Sequence, residues 1–374
     1  MGKIRVGVVF GGKSSEHSVS LMSAQSVMAA VDRDKYEVIP IGISQGGRWL
    51  VTGDPMKALT LGKAEGEPPA GLLAEATSHS LVILDSSGQA VTALPAGPVD
   101  VIFPVLHGPY GEDGTLQGLL EMAGIPYVGA GVAASAVGMD KLLFKDVARA
   151  HGIPVVPFLP VKRVDWVRHA QAIMERVEEE IGYPCFVKPA NLGSSVGISK
   201  AHHRSELLTA LSDASRYDRK MVVEVAIDAR EIEVGVLGND EPIASVPGEI
   251  VPCNEFYDFA AKYLDGTSGL LIPAPIPEAV SDAIRQMAIK AYLAVDCAGM
   301  ARADFLLDKG TGMVYLNEIN TIPGFTPISM YPKLWEATGI PYGELVDRLI
   351  ELALERHADK ARSVTSSDST GKGD

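Results

Sequence analysis

Met313-Val-Tyr-Leu-Asn-Glu-Ile-Asn-Thr-Ile-Pro-Gly324 is a run rich in β-branched residues that stops at a Pro-Gly pair. This composition predicts a buried strand that ends at a turn. Residues two apart in a strand share a face, so Glu318 and Asn320 point the same way where the strand ends. Taken alone, the stretch could also be no more than a polar strand end before a turn.

A second strand is predicted just upstream, over Arg302-Ala-Asp304-Phe-Leu-Leu307. If the two strands form a hairpin, the oxygens of Asp304, Glu318 and Asn320 meet at one point. Hard oxygen ligands of this kind suit Mg²⁺, which takes one or two carboxylates and completes its shell with water and nucleotide phosphates. The pair of strands therefore predicts a site for a metal and a nucleotide.

Composition restricts the class of protein. A chain of 374 residues with 47% hydrophobic and 21% charged residues predicts two or three globular domains. The net charge of −14 argues against a nucleic-acid partner. No apolar run approaches 18 residues, so no membrane association is expected. The three widely spaced cysteines form no disulfide framework, which favours a reducing, cytoplasmic location.

The N-terminal third predicts an open parallel sheet. Two apolar runs, Lys3–Phe10 and Tyr36–Ile43, flank a helical pattern, as in a strand–helix–strand unit. Residues 45–96 are less regular, with short strand-like pieces at Arg48–Val51 and Leu81–Leu84, and are interpreted as a peripheral insertion. Another buried strand at Val99–Leu106 runs into His107-Gly-Pro-Tyr-Gly, and ligands bind at such strand ends. As a lone histidine, His107 is as well explained by a structural role as by contact with an anion.

One short pattern near the N-terminus is misleading. Gly7-Val-Val-Phe-Gly-Gly-Lys-Ser14 matches the P-loop pattern letter by letter. A P-loop needs its whole glycine loop after the strand, so that backbone N–H groups can surround the phosphates. Here Gly7 to Phe10 belong to the strand itself, so a P-loop is disfavoured.

The segment Cys185–Lys200 predicts a hairpin that can hold phosphates. Its Gly- and Ser-rich loop, Gly193 to Gly197, can place backbone N–H groups over phosphates, and Lys188 adds a positive charge from the strand. An ordinary flexible hairpin would have the same composition.

The two strands that follow can bind the adenosine end of a nucleotide. The backbone groups of Val225 and Ile227 and the carboxylate of Glu224 suit the polar edge of adenine, and Glu231 suits ribose hydroxyls. Either glutamate could instead be a solvated charge. Residues 253–269 lack periodicity and contain four aromatic residues, which predicts a lid loop.

Six separated stretches carry these chemical groups. They are Gly11-Gly-Lys-Ser-Ser-Glu16-His-Ser-Val-Ser20, His107-Gly-Pro-Tyr-Gly-Glu-Asp-Gly-Thr-Leu-Gln-Gly118, Met139-Asp-Lys141, Val187-Lys188-Pro-Ala-Asn-Leu-Gly-Ser194-Ser-Val-Gly197, Tyr257-Asp-Phe-Ala-Ala-Lys262-Tyr263, and Arg302-Ala-Asp304 with Asn317-Glu318-Ile-Asn320-Thr-Ile-Pro-Gly324. In this order they resemble the ATP-grasp family, and within it the ligases that join two D-alanines. The resemblance spans residues 3–357.

The resemblance implies a fold and an activity. The fold is an α/β N-terminal domain with a parallel sheet (1–138), followed by two ATP-grasp domains of α+β type (139–235 and 236–360) with the nucleotide between them and a disordered tail (361–374). The activity is ATP-dependent condensation of D-alanine through a D-alanyl phosphate, for peptidoglycan precursors. ATP and D-alanine are the substrates, two Mg²⁺ ions (or Mn²⁺ in their place) assist, and the protein is a homodimer.

The resemblance also implies a role for each site residue. The catalytic residues are Glu16, Ser194, Tyr263, Arg302 and Gly324. The substrate-binding residues are His107, Lys262, Ser329 and Met330. The ATP-binding residues are Lys141, Lys188, Gly193, Ser195, Val196, Glu224, Val225, Ile227 and Glu231. The metal ligands are Asp304, Glu318 and Asn320.

Three other functions fit parts of the pattern. The same fold could make a D-alanyl–D-serine or D-lactate product, although relatives that use D-lactate have a histidine where Tyr263 stands, so tyrosine favours an amine nucleophile. A P-loop NTPase and a non-catalytic ATP sensor are the alternatives from other classes. One departure is Val225, where some members of the family have a lysine near adenine.

Overall fold

The computed structural model describes residues 2–74, 76, 79–84, 90–93, 98–251 and 269–364. Within these residues the strands form three sheets that follow one another along the sequence. The expected lid loop lies outside the described residues except for Gly269, and the expected tail lies outside them from residue 365 onward. The expected domain boundaries stay a prediction, although β12 (Ala229–Gly238), a strand of the third sheet, crosses the one at 235.

The first sheet is built on three parallel strands. β1 (Ile4–Gly11) lies between β2 (Tyr36–Ile43) and β7 (Val101–Val105), and its central residues are fully buried because both of its faces are covered. The covering helices are α1 (His17–Ala30), α2 (Pro55–Thr60) and α3 (Thr115–Met122), together with a 3₁₀ turn at Ala64–Gly66.

The segment expected to be a peripheral insertion extends this sheet. It adds four short antiparallel strands at the β2 edge, which are β3 (Trp49–Leu50), β4 (Ala70–Leu72), β5 (Leu81–Leu84) and β6 (Ala90–Ala93). The sheet is therefore mixed rather than purely parallel. Parallel pairing needs a crossover of about a dozen residues or more. The connections from β2 to β3, from β4 to β5 and from β5 to β6 are shorter than that, whereas the connection from β3 to β4 contains α2 and the 3₁₀ turn.

Two consecutive helices lead out of the first sheet. Residues 129–138, at the end of the expected first domain, are rich in small residues and form most of α4 (Val132–Met139), because alanines favour helix. After a break at Asp140, α5 (Lys141–Ala150) begins. The Asp140 carboxylate accepts the backbone N–H groups of Leu142 and Leu143, both at 3.2 Å, and so caps this helix.

The second sheet is antiparallel and has two helices on one face. Its strands are β8 (Phe158–Lys162), β9 (Cys185–Pro189), β10 (Ser199–Ala201) and β11 (Lys220–Val225), in the order β10-β9-β11-β8. Its helices are α6 (Arg163–Glu180) and α7 (Arg204–Tyr217). The hairpin predicted at 185–200 is confirmed, because β9 and β10 pair directly.

The third sheet carries the hairpin predicted from its sequence. β16 (Gly299–Asp308) pairs antiparallel with β17 (Val314–Asn320), which places Asp304 opposite Glu318. On its other side β16 pairs with β12. The remaining elements are β13 (Ile243–Ala244), β14 (Gly248–Val251), β15 (Gly269–Leu271) and the covering helix α8 (Glu278–Ala294).

The C-terminal helices return to the first sheet. α9 (Met330–Thr338) and α10 (Tyr342–Lys360) share one hydrophobic core with β1 and β7. Lys35 Nζ lies 2.5 Å from the Asp347 carboxylate, which joins α10 to the start of β2. This packing brings the turn after β17 against the loop after β7. None of the helices in the described part of the chain combines the length and apolarity that a bilayer crossing needs.

Candidate active site

The predicted metal ligands lie together on one face of the third sheet. Arg302 holds Asp304 with two hydrogen bonds of 2.7 Å, and the Asn320 amide donates to the same carboxylate at 2.9 Å. Glu318 is the cross-strand neighbour of Asp304. Arg302 also lies 2.9 Å from the buried Glu233 carboxylate, which the sequence analysis missed. Glu233 sits opposite Asp304 on β12, so only the strand register could have revealed it.

Lys141 joins this cluster to the second sheet. Its Nζ lies 3.3 Å from Glu318 Oε2 and donates to the Leu192 carbonyl at 2.9 Å. Lys141 is the first residue of α5 and is almost fully buried. The ammonium group therefore lies between the oxygen cluster and the loop that connects β9 with β10.

A buried glutamate holds a second lysine beside the first. Glu224 Oε2 accepts from Lys188 Nζ at 2.7 Å, and Glu224 Oε1 lies 3.0 Å from Lys145 Nζ. Burial would raise the pKa of Glu224, but the two lysines lower it to about 2, so the carboxylate is ionised. Burial would likewise lower the pKa of Lys188, yet Glu224 raises it, so Lys188 stays protonated.

Lys145 is a second residue that the sequence analysis missed. Its side chain is 1% exposed, its Nζ lies 3.4 Å from the Asn317 carbonyl of β17, and burial lowers its pKa. The sequence held one signal, because Lys145 stands four residues after Lys141 and so shares its face of α5. Its partner Glu224, on β11, could not be identified from the sequence.

The loop between β9 and β10 lies against the first sheet's helix. Ser194 and Ser195 adopt positive φ angles of 51° and 58°, and the Val196 N–H donates to the Gly193 carbonyl at 3.2 Å. A methyl group at Gly193 would lie 3.2 Å from Glu16 Oε2. The Ser194 hydroxyl is buried and has no hydrogen-bond partner among the described residues.

The end of β11 and the loop that follows it offer a short run of backbone groups. The Val225 N–H donates to the Pro157 carbonyl at 3.1 Å. The Ile227 N–H finds no acceptor within the described residues. Glu231, half-buried on β12, contributes a negative charge felt by Lys188. These groups lie next to the lysine pair.

The first sheet contributes several buried polar side chains near the carboxyl ends of its strands. Glu16, where α1 begins, and His107, after β7, are both nearly fully buried. Burial lowers the pKa of His107 although Glu16 opposes the shift, so the ring is neutral near pH 7. The sequence analysis assigned no role to Glu112, which accepts the Gly108 N–H at 2.5 Å. Burial, with the charge of Glu16, raises the pKa of Glu112 well above its usual range.

The turn after β17 completes the arrangement. Gly324 is half-buried, and in the described ranges no acceptor takes its N–H. Ser329 shares a 2.8 Å hydrogen bond with the Thr326 hydroxyl, and Met330 begins α9. The predicted residues Lys262 and Tyr263 lie outside the described residues.

The P-loop alternative is excluded by the strand. β1 continues through Gly11, whose N–H donates to the Ser20 hydroxyl at 2.8 Å. The Gly12 N–H donates to the Ile43 carbonyl, also at 2.8 Å. Both backbone donors are therefore engaged within the fold, and Lys13 points to solvent.

Family models match nearly the whole chain. A model described as "D-ala D-ala ligase N-terminus" matches residues 5–130, and one described as "D-ala D-ala ligase C-terminus" matches residues 147–351. A protein named D-alanine--D-alanine ligase from Heliobacterium modesticaldum is 53% identical over 365 residues, covering 98% of each chain. One of the same name from Geobacillus thermodenitrificans is 52% identical, covering 96% of this chain and 97% of its own.

Solved structures give the same picture of the fold. The D-alanine-D-alanine ligase from Coxiella burnetii is 37% identical, with a TM-score of 0.81 over 97% of both chains. The VanG D-Ala:D-Ser ligase from Enterococcus faecalis is 34% identical, with a TM-score of 0.82 over 94% of this chain and 100% of its own. The names of these two similar proteins thus give different second substrates, D-alanine and D-serine.

Proposed function

The chain belongs to the D-alanine–D-alanine ligase family, and we infer that it joins two D-alanines into D-alanyl-D-alanine at the expense of ATP, for peptidoglycan synthesis. The observation that carries this function is the full-length identity of about one half to relatives of that name. The geometry supports it, because two lysines, a glycine-serine loop and an oxygen cluster converge at one edge.

Asp304, Glu318 and Asn320 are proposed to hold two Mg²⁺ ions, for which Mn²⁺ could substitute. The donors are hard oxygens on adjacent strands, which suits these ions. In the structure, positively charged side chains contact both carboxylates: Arg302 contacts Asp304 and Lys141 contacts Glu318. Bound ions would neutralise charge on the ATP phosphates and the departing ADP.

The nucleotide is proposed to lie between the second and third sheets. Lys141 and Lys188 would bind its phosphates, and the loop that carries Gly193, Ser195 and Val196 would close over them. Adenine would receive a hydrogen bond from the Ile227 N–H and donate one to the Val225 carbonyl, and Glu231 would accept from ribose. Both lysines contact the Glu224 carboxylate, so its proposed contribution to ATP binding is to orient Lys188.

The proposed reaction has two steps. The carboxylate of the first D-alanine attacks the γ-phosphate, which gives D-alanyl phosphate and ADP. The amine of the second D-alanine then attacks the acyl carbon, and phosphate leaves. Arg302 and the Gly324 N–H would stabilise the tetrahedral oxyanion, a contribution commonly worth about 3–4 kcal/mol per donor.

The two substrates are proposed to bind against the first sheet. Glu16, aided by His107, would hold the ammonium of the first D-alanine. Ser194 would tie the lid shut through Glu16 and Tyr263, and the proximity of Gly193 to Glu16 supports this contact. The carboxylate of the second D-alanine would bind Lys262, Ser329 and the backbone of Met330.

We also propose a cytoplasmic homodimer with the three domains 1–138, 139–235 and 236–360. The location is supported by the unpaired, buried thiols of Cys185 and Cys297. Sedimentation equilibrium would show the mass of a dimer.

Product identification tests the function. With D-alanine, D-serine and D-lactate in competition, mass spectrometry should show D-alanyl-D-alanine as the main product. Glu318→Ala should abolish turnover, whereas Lys13→Ala, an exposed residue of the excluded P-loop, should leave it unchanged. D-Alanyl-D-serine as the main product would instead favour the activity in the VanG name, and ATP hydrolysis without any need for D-alanine would refute the ligase.

A further inference from the structure

A fully buried serine on α1 contacts the turn that follows β17. Ser23 is 0% exposed, and its hydroxyl accepts the Phe325 N–H at 3.3 Å. The same oxygen lies 3.3 Å from His107 Nε2. Ser23 therefore joins three elements, namely the helix of the first sheet, the loop after β7 and the turn after β17. None of the roles proposed above uses it.

The histidine completes a closed set of hydrogen bonds. His107 Nδ1 lies 3.0 Å from the Ile322 carbonyl, which can only accept, so Nδ1 carries the proton. In the neutral ring Nε2 is then an acceptor, and the Ser23 hydroxyl donates to it. The serine oxygen keeps a lone pair for the Phe325 N–H. Each donor in this set therefore faces an acceptor when His107 is neutral and carries its proton on Nδ1.

These hydrogen bonds lie on either side of two residues of the turn, Pro323 and Gly324. Ile322 and Phe325 stand on either side of Pro323-Gly324, and both are nearly fully buried. The Phe325 ring packs edge-on against Phe103 and Tyr342, with centroid distances of 5.9 and 5.5 Å, which holds the far side of the turn. The backbone before and after Gly324 is thus fixed by side chains of the first sheet.

We propose that Ser23, acting with His107, is a positioning residue that fixes the Gly324 N–H where the reaction's oxyanion forms. The inference rests on the function proposed above, in which Gly324 is an oxyanion donor. Such a donor works only when it is held at hydrogen-bond distance from the developing charge, and a misplacement of about 1 Å can reduce a rate by about 10²-fold. It also gives His107 a second task besides contact with D-alanine.

The test compares Ser23→Ala with Ser26→Ala. Ser26 lies one turn further along α1, and its hydroxyl donates to the Met22 carbonyl of its own helix at 3.0 Å. Ser23→Ala should lower kcat about tenfold or more and weaken binding of a phosphinate analogue of the tetrahedral intermediate by a similar factor. The KM for ATP should stay within about twofold of wild type, and Ser26→Ala should match wild type in every measurement. Partial loss of folding would impair kcat, analogue binding and ATP binding together, so it would not produce this difference.

Two further variants keep the test decisive. Ser23→Thr retains the hydroxyl and should restore kcat, and Ser23→Cys keeps the volume with a weaker donor and serves if the alanine variant does not fold. A folded Ser23→Ala or Ser23→Cys enzyme with wild-type kcat and analogue affinity would overturn the proposal. Equal losses in kcat and in ATP binding would overturn it too. If wild type itself forms no dipeptide from D-alanine, the proposed function fails instead.

Discussion

Lys145 shows how much one buried residue can control at the residue scale. It and Lys188 share Glu224, so Lys145→Met removes a counter-charge from a carboxylate that is 2% exposed. We expect a loss of about 3 kcal/mol in the free energy of unfolding and a raised KM for ATP, because Lys188 loses its fixed partner geometry. Urea unfolding and steady-state kinetics measure both quantities.

An exposed ion pair provides the control. Lys309 Nζ lies 2.6 Å from Asp228, with both side chains more than half exposed. Lys309→Met should therefore change stability by less than about 1 kcal/mol. Equal losses of stability in Lys145→Met and Lys309→Met would contradict the prediction, because burial of the ion pair would then make no difference.

His107 predicts a pH dependence of stability. Burial lowers its pKa in the folded protein, against the opposing charge of Glu16. Below the unfolded value of about 6.5 the unfolded chain therefore binds more protons, so stability falls as pH falls, by up to about 1.4 kcal/mol per pH unit. Urea unfolding at pH 7, 6 and 5 should show a smaller decline for His107→Gln than for wild type, and parallel declines would contradict the assignment.

Some residues of the site could be predicted from the sequence and others could not. Asp304, Glu318 and Asn320 were predicted to meet because strand alternation puts them on one face and the hairpin turn lies between them. Ser23 and Glu233 carry no such local signal. Their partners lie on distant elements, so only the packed structure reveals their roles.

At the scale of elements, the β9–β10 hairpin depends on one glycine. Gly197 has a φ of +72°, and a methyl group there would lie 2.7 Å from a Tyr217 ring carbon and 2.9 Å from Pro189 Cγ. Gly197→Ala should therefore distort the loop proposed to cover the phosphates and raise the KM for ATP at least about tenfold.

Gly312 supplies the matched control. It has the same φ of +72°, in the turn of the β16–β17 hairpin, but no heavy atom of the described residues would lie within 4 Å of an added methyl group. Gly312→Ala should cost only the backbone strain and leave the KM for ATP unchanged. A comparable rise in that KM for both variants would point to a general effect of strain.

Elements with strong local patterns were predicted well, whereas only some of the short strands were. Tyr36–Ile43 forms a strand with the predicted bounds, because a long apolar run of β-branched residues is a local property. Among the four short strands, β3 and β5 coincide with the strand-like pieces predicted at Arg48–Val51 and Leu81–Leu84. β4 and β6 have three and four residues, too few for a periodicity to show, and sheet neighbours rather than their own sequence make them strands.

At the scale of the whole molecule, the last helix holds the two ends of the chain together. Four fully buried side chains of α10 lie in the core of the first sheet, namely Leu345, Val346, Leu349 and Ile350. At about 1.5–3 kcal/mol each they supply about 6–12 kcal/mol, comparable to the whole stability of a typical domain. A chain that ends at residue 340 should therefore fail to fold, as judged by circular dichroism.

Removal of residues 365–374 alone provides the comparison. Their polar composition predicted disorder, so a chain that ends at residue 364 should keep its melting temperature and its turnover. Loss of folding in both truncations would assign the C-terminal residues a role that the sequence does not predict. The return of α10 to the first sheet could not be foreseen from sequence, because it joins residues more than 300 positions apart.

The most direct measurement follows oxygen from D-alanine labelled with ¹⁸O at both carboxylate oxygens. If the first substrate is phosphorylated before the peptide bond forms, mass spectrometry should find one ¹⁸O in each inorganic phosphate released with D-alanyl-D-alanine. Phosphate without the label would contradict a D-alanyl phosphate, and with it the chemistry assigned to the strands that carry Arg302, Asp304 and Glu318.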